Sequence, residues 1–147
     1  MTRWFTRHHA TLVADLDDDE TLFAAHRVEL RGTADNVMDG TRVSTRGSPR
    51  RRFVRADKAA FPLPGPFFIV GVSDQRLLIW RSSPFLATPL GLEHAVPLGD
   101  VARLTMIERL RRRTLVIVMG AGQAIVVRSL WGRGLGDVQR AFETTRG

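Results

Sequence analysis

The chain has 147 residues, 44% of them hydrophobic and 25% charged. That is enough to bury one substantial core without a disulfide or metal staple. There is no cysteine, which excludes thiol catalysis, thiolate metal sites and a disulfide framework and fits a reducing compartment. The formal charge is +7, which points to an acidic partner. Lys58 is the only lysine, so 21 of the 22 basic residues are arginine, and part of that excess is what a GC-rich genome imposes.

In chain order, RWFTRHHATLVADL (3–16) places Phe5, Leu12, Val13 and Leu16 at helical spacing and predicts an amphipathic helix within an N-terminal extension over 1–20. Residues 1–19 contain no uninterrupted apolar core like that of a signal peptide, and the longest apolar runs are too short to span a bilayer. The expected location is the cytoplasm, with attachment at the membrane periphery as a variant. Asp15, Asp17, Asp18, Asp19 and Glu20 lack the spacing of a calcium loop and read as an acidic cap or solvated turn. TLFAAHRVELR (21–31) ends in strict alternation, a half-buried strand. Residues 32–50 are rich in Gly, Ser, Thr, Asp and Arg and read as a long loop. A short strand is expected at 51–57, and the prolines of 61–66 make an extended connector.

From there the chain reads as strand after strand. FFIVGV (67–72) and RLLIWR (76–81) form a hairpin around Ser73-Asp74-Gln75. Residues 82–93 are broken by Pro and Gly and read as a loop, and HAVPL (94–98) as a short edge strand, since Pro97 donates no hydrogen bond. VARLTMIERL (101–110) alternates in part. RTLVIVM (113–119) has the composition of a strand covered on both sides. GAGQ (120–123) is a turn and AIVVRSL (124–130) the returning strand. Finally, Leu135, Val138, Ala141 and Phe142 predict a helix over 134–145 that caps the open end of the sheet.

Val72-Ser73-Asp74-Gln75-Arg76-Leu77-Leu78-Ile79-Trp80 resembles the strand, turn and strand of bacterial pleckstrin-homology-like domains of actinobacterial type. VPLGDVARL (96–104) is similar to a second stretch of that family, and LVIVMGAGQAIVV (115–127) to its next hairpin. The resemblance implies a mainly β fold: an open barrel or curled antiparallel sandwich of about seven strands, with a C-terminal capping helix and here an added N-terminal helix. Residues 1–147 would form a single domain. The family hosts lipid binders, peptide binders and structural modules, so the resemblance speaks to fold before function.

Asp74 and Arg76 would suit an acid and an electrostatic stabiliser. A hairpin corner suits them better, with Asp74 bonding nearby amides and Arg76 pairing with it or with solvent. His8, His9, His26 and His94 fall in no zinc or base-and-nucleophile spacing. No catalytic residue, metal ligand or cofactor is nominated, and the chain is expected not to be an enzyme. Two basic clusters are the candidates for an anion or partner site: Arg50, Arg51, Arg52 and Arg55, and Arg109, Arg111, Arg112 and Arg113. The resemblance adds that lipid-binding members hold phosphates near their first inter-strand loop, where the first cluster falls. Arg133, beside the glycines that open the last helix, would support an anion there. The bland alternative is a charged edge that discourages strand pairing. The expected function is therefore binding of a protein partner or an anionic lipid surface. The alternative is a basic nucleic-acid-associated protein, although the clusters lack the interleaved aromatic residues that single strands require. A homo-oligomer is compatible with all of these.

Overall fold

The computed structural model describes residues 2–34, 64–109, 112–120, 122–129 and 133–146; for 32–34, 109 and 112 it describes the backbone alone. Helix α1 spans Arg3–Val13, and Thr2 caps it by accepting from the Phe5 amide at 3.1 Å. Seven strands follow: β1 Leu22–Ala34, β2 Phe67–Ser73, β3 Arg76–Ser82, β4 Pro89–Pro97, β5 Val101–Arg109, β6 Arg112–Met119 and β7 Ala124–Ser129. Helix α2, Gly134–Arg146, ends the chain.

The strands form one antiparallel sheet in the order β4-β3-β2-β1-β7-β6-β5. Strand β1 is the corner. Its first part pairs with β2 from Leu22 to Glu29, its second with β7 from Val28 to Ala34, and the register shifts between Leu30 and Gly32. Such a bulge bends the strand and lets the sheet curl. The edges β4 and β5 do not pair, so the sheet stays open; a 3-10 turn at Leu98–Asp100 links them.

The curl gives two layers of side chains. On the concave side Val28, Phe68, Val70, Leu77, Ile79, Leu115, Ile117, Ile125 and Val127 meet Leu135, Val138 and Phe142 of α2. The helix thus closes the open end with the face its 3.6-residue period predicts. On the convex side Phe5 and Leu12 of α1 cover Leu22, Ile69, Leu78 and Trp80. Gly71 makes room there: a Cβ at that position would stand 2.6 Å from the Trp80 ring. Strand β6 is buried on both sides from Leu115 to Met119, as its composition requires.

Several expected boundaries move. Strand β1 runs three residues beyond 31, into the segment read as loop, because pairing with β7 continues through Ala34. Strand β4 begins at Pro89 instead of 94. It is an edge strand, and its partner β3 supplies the pairing that a Pro- and Gly-rich sequence conceals. Helix α1 ends at Val13, before Leu16. The expected strand at 51–57 and most of the 32–50 loop lie outside the described residues.

Candidate functional site

The turn between β2 and β3 is a hairpin corner whose polar groups are consumed internally. Ser73 Oγ accepts from the amides of Gln75 at 3.1 Å and Arg76 at 2.9 Å. Asp74 reaches across to the start of β1: its Oδ1 accepts from the Thr21 amide at 2.9 Å, and its own amide donates to Thr21 O at 3.0 Å. Arg76 pairs neither with Asp74 nor with solvent alone. It makes a bidentate bond to Glu20, with Nε–Oε2 at 2.8 Å and Nη2–Oε1 at 2.7 Å, and Asp17 stands 3.9 Å away. The hydrogen bond to Glu20, before any longer-range charge, raises the Arg76 pKa above its ordinary value. The acidic run is therefore not simply a solvated turn. Glu20 is buried, and it ties the end of α1's connector to β3.

The first predicted basic cluster, Arg50, Arg51, Arg52 and Arg55, lies outside the described residues, as does Arg111. The second falls on the β5–β6 hairpin as expected, with Arg109 opposite Arg112 in the register. Arg113 is half-buried and bonded to Glu108 at 3.1 Å, so its charge is met within the hairpin. Arg133 is exposed ahead of α2. Gly134 beside it serves packing: a Cβ there would fall 2.1 Å from Nδ1 of His26. His26 is 1% exposed, lies edge-on to Trp4 and bonds Ser129 Oγ through Nε2 at 2.9 Å. A serine–histidine pair can activate a nucleophile, but this imidazole is packed under Trp4 and α2. Among the described residues no cluster of His, Asp and Glu could hold a metal ion.

Sequence reading missed a different constellation, at the other end of β3. The β3–β4 loop, Ser83–Thr88, is held from below. Arg27 of β1, only 5% exposed, donates to Ser82 Oγ at 3.1 Å, Ser83 O at 3.4 Å and Pro84 O at 2.7 Å, and lies over the Phe67 ring at 4.8 Å. Burial lowers its pKa from the usual arginine value. Trp4 Nε1 of α1 donates to Ala87 O at 2.9 Å. Ser83 and Thr88 close the base, amide to carbonyl at 2.9 Å and amide to Ser83 Oγ at 2.9 Å. Ala87 has φ 54°, a conformation that non-glycine residues seldom adopt. On top, Phe85 is 93% exposed and Leu86 80%.

Helix α1 lies beside this loop. Its Arg3, Thr6, Arg7 and His9 face solvent, and no acidic residue occurs from 3 to 13. Among the described residues neither Arg3 nor Arg7 is in an ion pair. A cleft of about 190 Å³ between α1, β1 and α2 is lined by Phe5, Phe23, Ala24, Ala25, Asp137 and Arg140, with the last two paired at its rim. No helix among the described residues is long and apolar enough to cross a membrane.

No protein-family profile and no curated protein matches the sequence. Solved structures do resemble the fold. A structure of Vav1, bound by an allosteric inhibitor that blocks its GEF activity, superposes with a TM-score of 0.51 at 11% identity, covering 84% of this chain. This chain spans 26% of that one. The hSac2 domain of the human phosphoinositide phosphatase Sac2 covers 99% of this chain at a TM-score of 0.43 and 7% identity. At such identity the Vav1 likeness speaks to fold alone. It is compatible with the pleckstrin-homology-like sandwich, and the open seven-stranded sheet with its C-terminal helix matches that architecture.

Proposed function

We propose that this chain is a non-enzymatic binding module that docks on an anionic surface. One observation carries the reading. Helix α1 buries Phe5 and Leu12 against the sheet and turns Arg3 and Arg7 outward, with no acid along its length to neutralise them. A basic amphipathic helix fixed to the outside of a folded domain is suited to an acidic surface. The net charge of +7 adds long-range attraction. The β-sandwich supplies a rigid platform, a role that this architecture fills with or without chemistry of its own. The paired states of Arg113, Arg76 and Glu20 support binding through residues other than the hairpin corner.

The test is sedimentation with vesicles. Phosphatidylcholine vesicles containing phosphatidylserine should pellet the protein at low salt, and about 0.5 M NaCl should release it as screening shortens the reach of the charges. Pure phosphatidylcholine should not retain it. Arg3→Ala/Arg7→Ala should weaken retention about thirtyfold, at roughly 1 kcal/mol per cation near the surface. Failure of the wild-type protein to pellet at low salt ends this reading. A specific protein that co-purifies through high-salt washes, with vesicles left unbound, would replace the anionic surface with a protein partner.

A further inference from the structure

The β3–β4 loop is more heavily built than a connection between two strands needs. A buried guanidinium donates two bonds to it and one to Ser82 just before it, an indole donates another, and Ala87 is held at positive φ. Both burial of a charge and left-handed backbone cost stability, so a loop that carries both is over-determined by its surroundings. Phe85 and Leu86 gain the fold nothing in return, because at 93% and 80% exposure they touch little of it. Leu90, at the start of β4, is also 53% exposed.

We propose that Phe85 and Leu86 form an insertion tip that enters the interfacial region of an anionic bilayer. The inference rests on the anionic-surface reading above and adds which side chains leave water. Shape favours a bilayer as the occupant. The tip is convex and two residues wide, far short of the roughly 800 Å² per partner of a stable protein interface. A bilayer interface needs no complementary pocket: each apolar side chain that leaves water gains on its own. Charge favours the same occupant. Residues 82–88 carry no charge of either sign. The bond from Trp4 to Ala87 fastens the first turn of α1 beside the tip, and Arg3 and Arg7 lie one turn apart on one helix face. Arg81, at the base of the loop, is met by Glu93 at 3.5 Å and adds little. A short apolar insertion or a pair of cations alone anchors weakly; together they make the two signals that stable peripheral attachment takes.

The chain's lack of cysteine makes a single thiol unique. Leu86→Cys carrying the environment-sensitive fluorophore NBD should shift to the blue on phosphatidylserine-containing vesicles and be quenched by spin-labelled lipid. The same label at Asp18→Cys, exposed near the far end of β3, should do neither. Phe85→Ala/Leu86→Ala should lower vesicle affinity about tenfold or more, with the thermal midpoint unchanged, and Phe85→Trp/Leu86→Trp should retain it. If wild-type protein pellets with the vesicles while the label at position 86 stays in water, the tip inference is overturned and the anionic-surface reading stands. If the wild-type protein never pellets, both fall. Lipid-free self-association that Phe85→Ala/Leu86→Ala abolishes would make the tip a contact between copies and would overturn insertion.

Discussion

Strand β3 has a turn at each end, and the two are built on opposite plans. At Ser73–Arg76 every polar side chain that looks reactive in sequence is spent on the fold: Ser73 on the turn amides, Asp74 on Thr21, Arg76 on Glu20. At Ser83–Thr88 the fold reaches into the loop from beneath, through Arg27 and Trp4, and leaves apolar side chains in water. Both turns are closed by hydrogen bonds. They differ in which side of the loop the bonds occupy. Polar residues adjacent in sequence make a site only if their hydrogen-bonding capacity is left over after folding, and here it is not.

The comparison can be broken one bond at a time. Arg76→Ala should have the largest effect, about 3 kcal/mol in denaturant unfolding, because it leaves the Glu20 carboxylate buried without its cation. Glu20→Ala should cost less, since Arg76 is partly exposed and can turn to water. Arg27→Met keeps some of the buried stem and removes the donors. It should cost about 2 kcal/mol and speed amide exchange at Thr88, which reports loosening of the apolar tip's base. Ser73→Ala should cost about 1 kcal/mol by orphaning two turn amides.

A smaller effect should appear with pH. Burial, and after it the charge of Arg7, hold the His8 pKa below its usual 6.5 in the folded chain. The unfolded chain therefore binds the proton more readily, and stability falls as pH drops below about 6.5 towards the folded value. Thermal midpoints across that window should flatten in His8→Gln. The smallest effect on stability belongs to Phe85→Ala/Leu86→Ala, expected within about 0.5 kcal/mol of wild type. A large loss there would mean that the tip packs against the fold, which would remove the contrast between the two turns.

Much of the fold was legible in the residues. Period-two alternation at Val28–Arg31, the apolar runs of β2, β3, β6 and β7, and the 3.6-residue spacing of Leu135, Val138 and Phe142 each mark a real element. Strand β4 was only half legible, because Pro89 and Gly91 are tolerated at a sheet edge and look like loop in isolation. The candidate surface was scarcely legible. Arginine runs drew attention to 50–55 and 109–113, whereas Arg3 and Arg7 stand singly and Phe85 and Leu86 sit in a segment read as a broken loop. Arg27 shows only as a polar position in an alternating strand, and nothing local says that it turns inward.

The sequence by itself determined the class of the protein: apolar periodicity and turn residues act over a few positions, and they specify strands, hairpins and an amphipathic end helix. Only the tertiary structure decided which polar groups remain available. Glu20 meets Arg76 across 56 residues, Arg27 meets Pro84 across 57, and Trp4 meets Ala87 across 83. Such pairings depend on how the sheet curls and where α1 lies, and those are properties of packing that no local pattern encodes. They turn the polar corner at one end of β3 into a closed knot and leave the apolar loop at its other end facing outward.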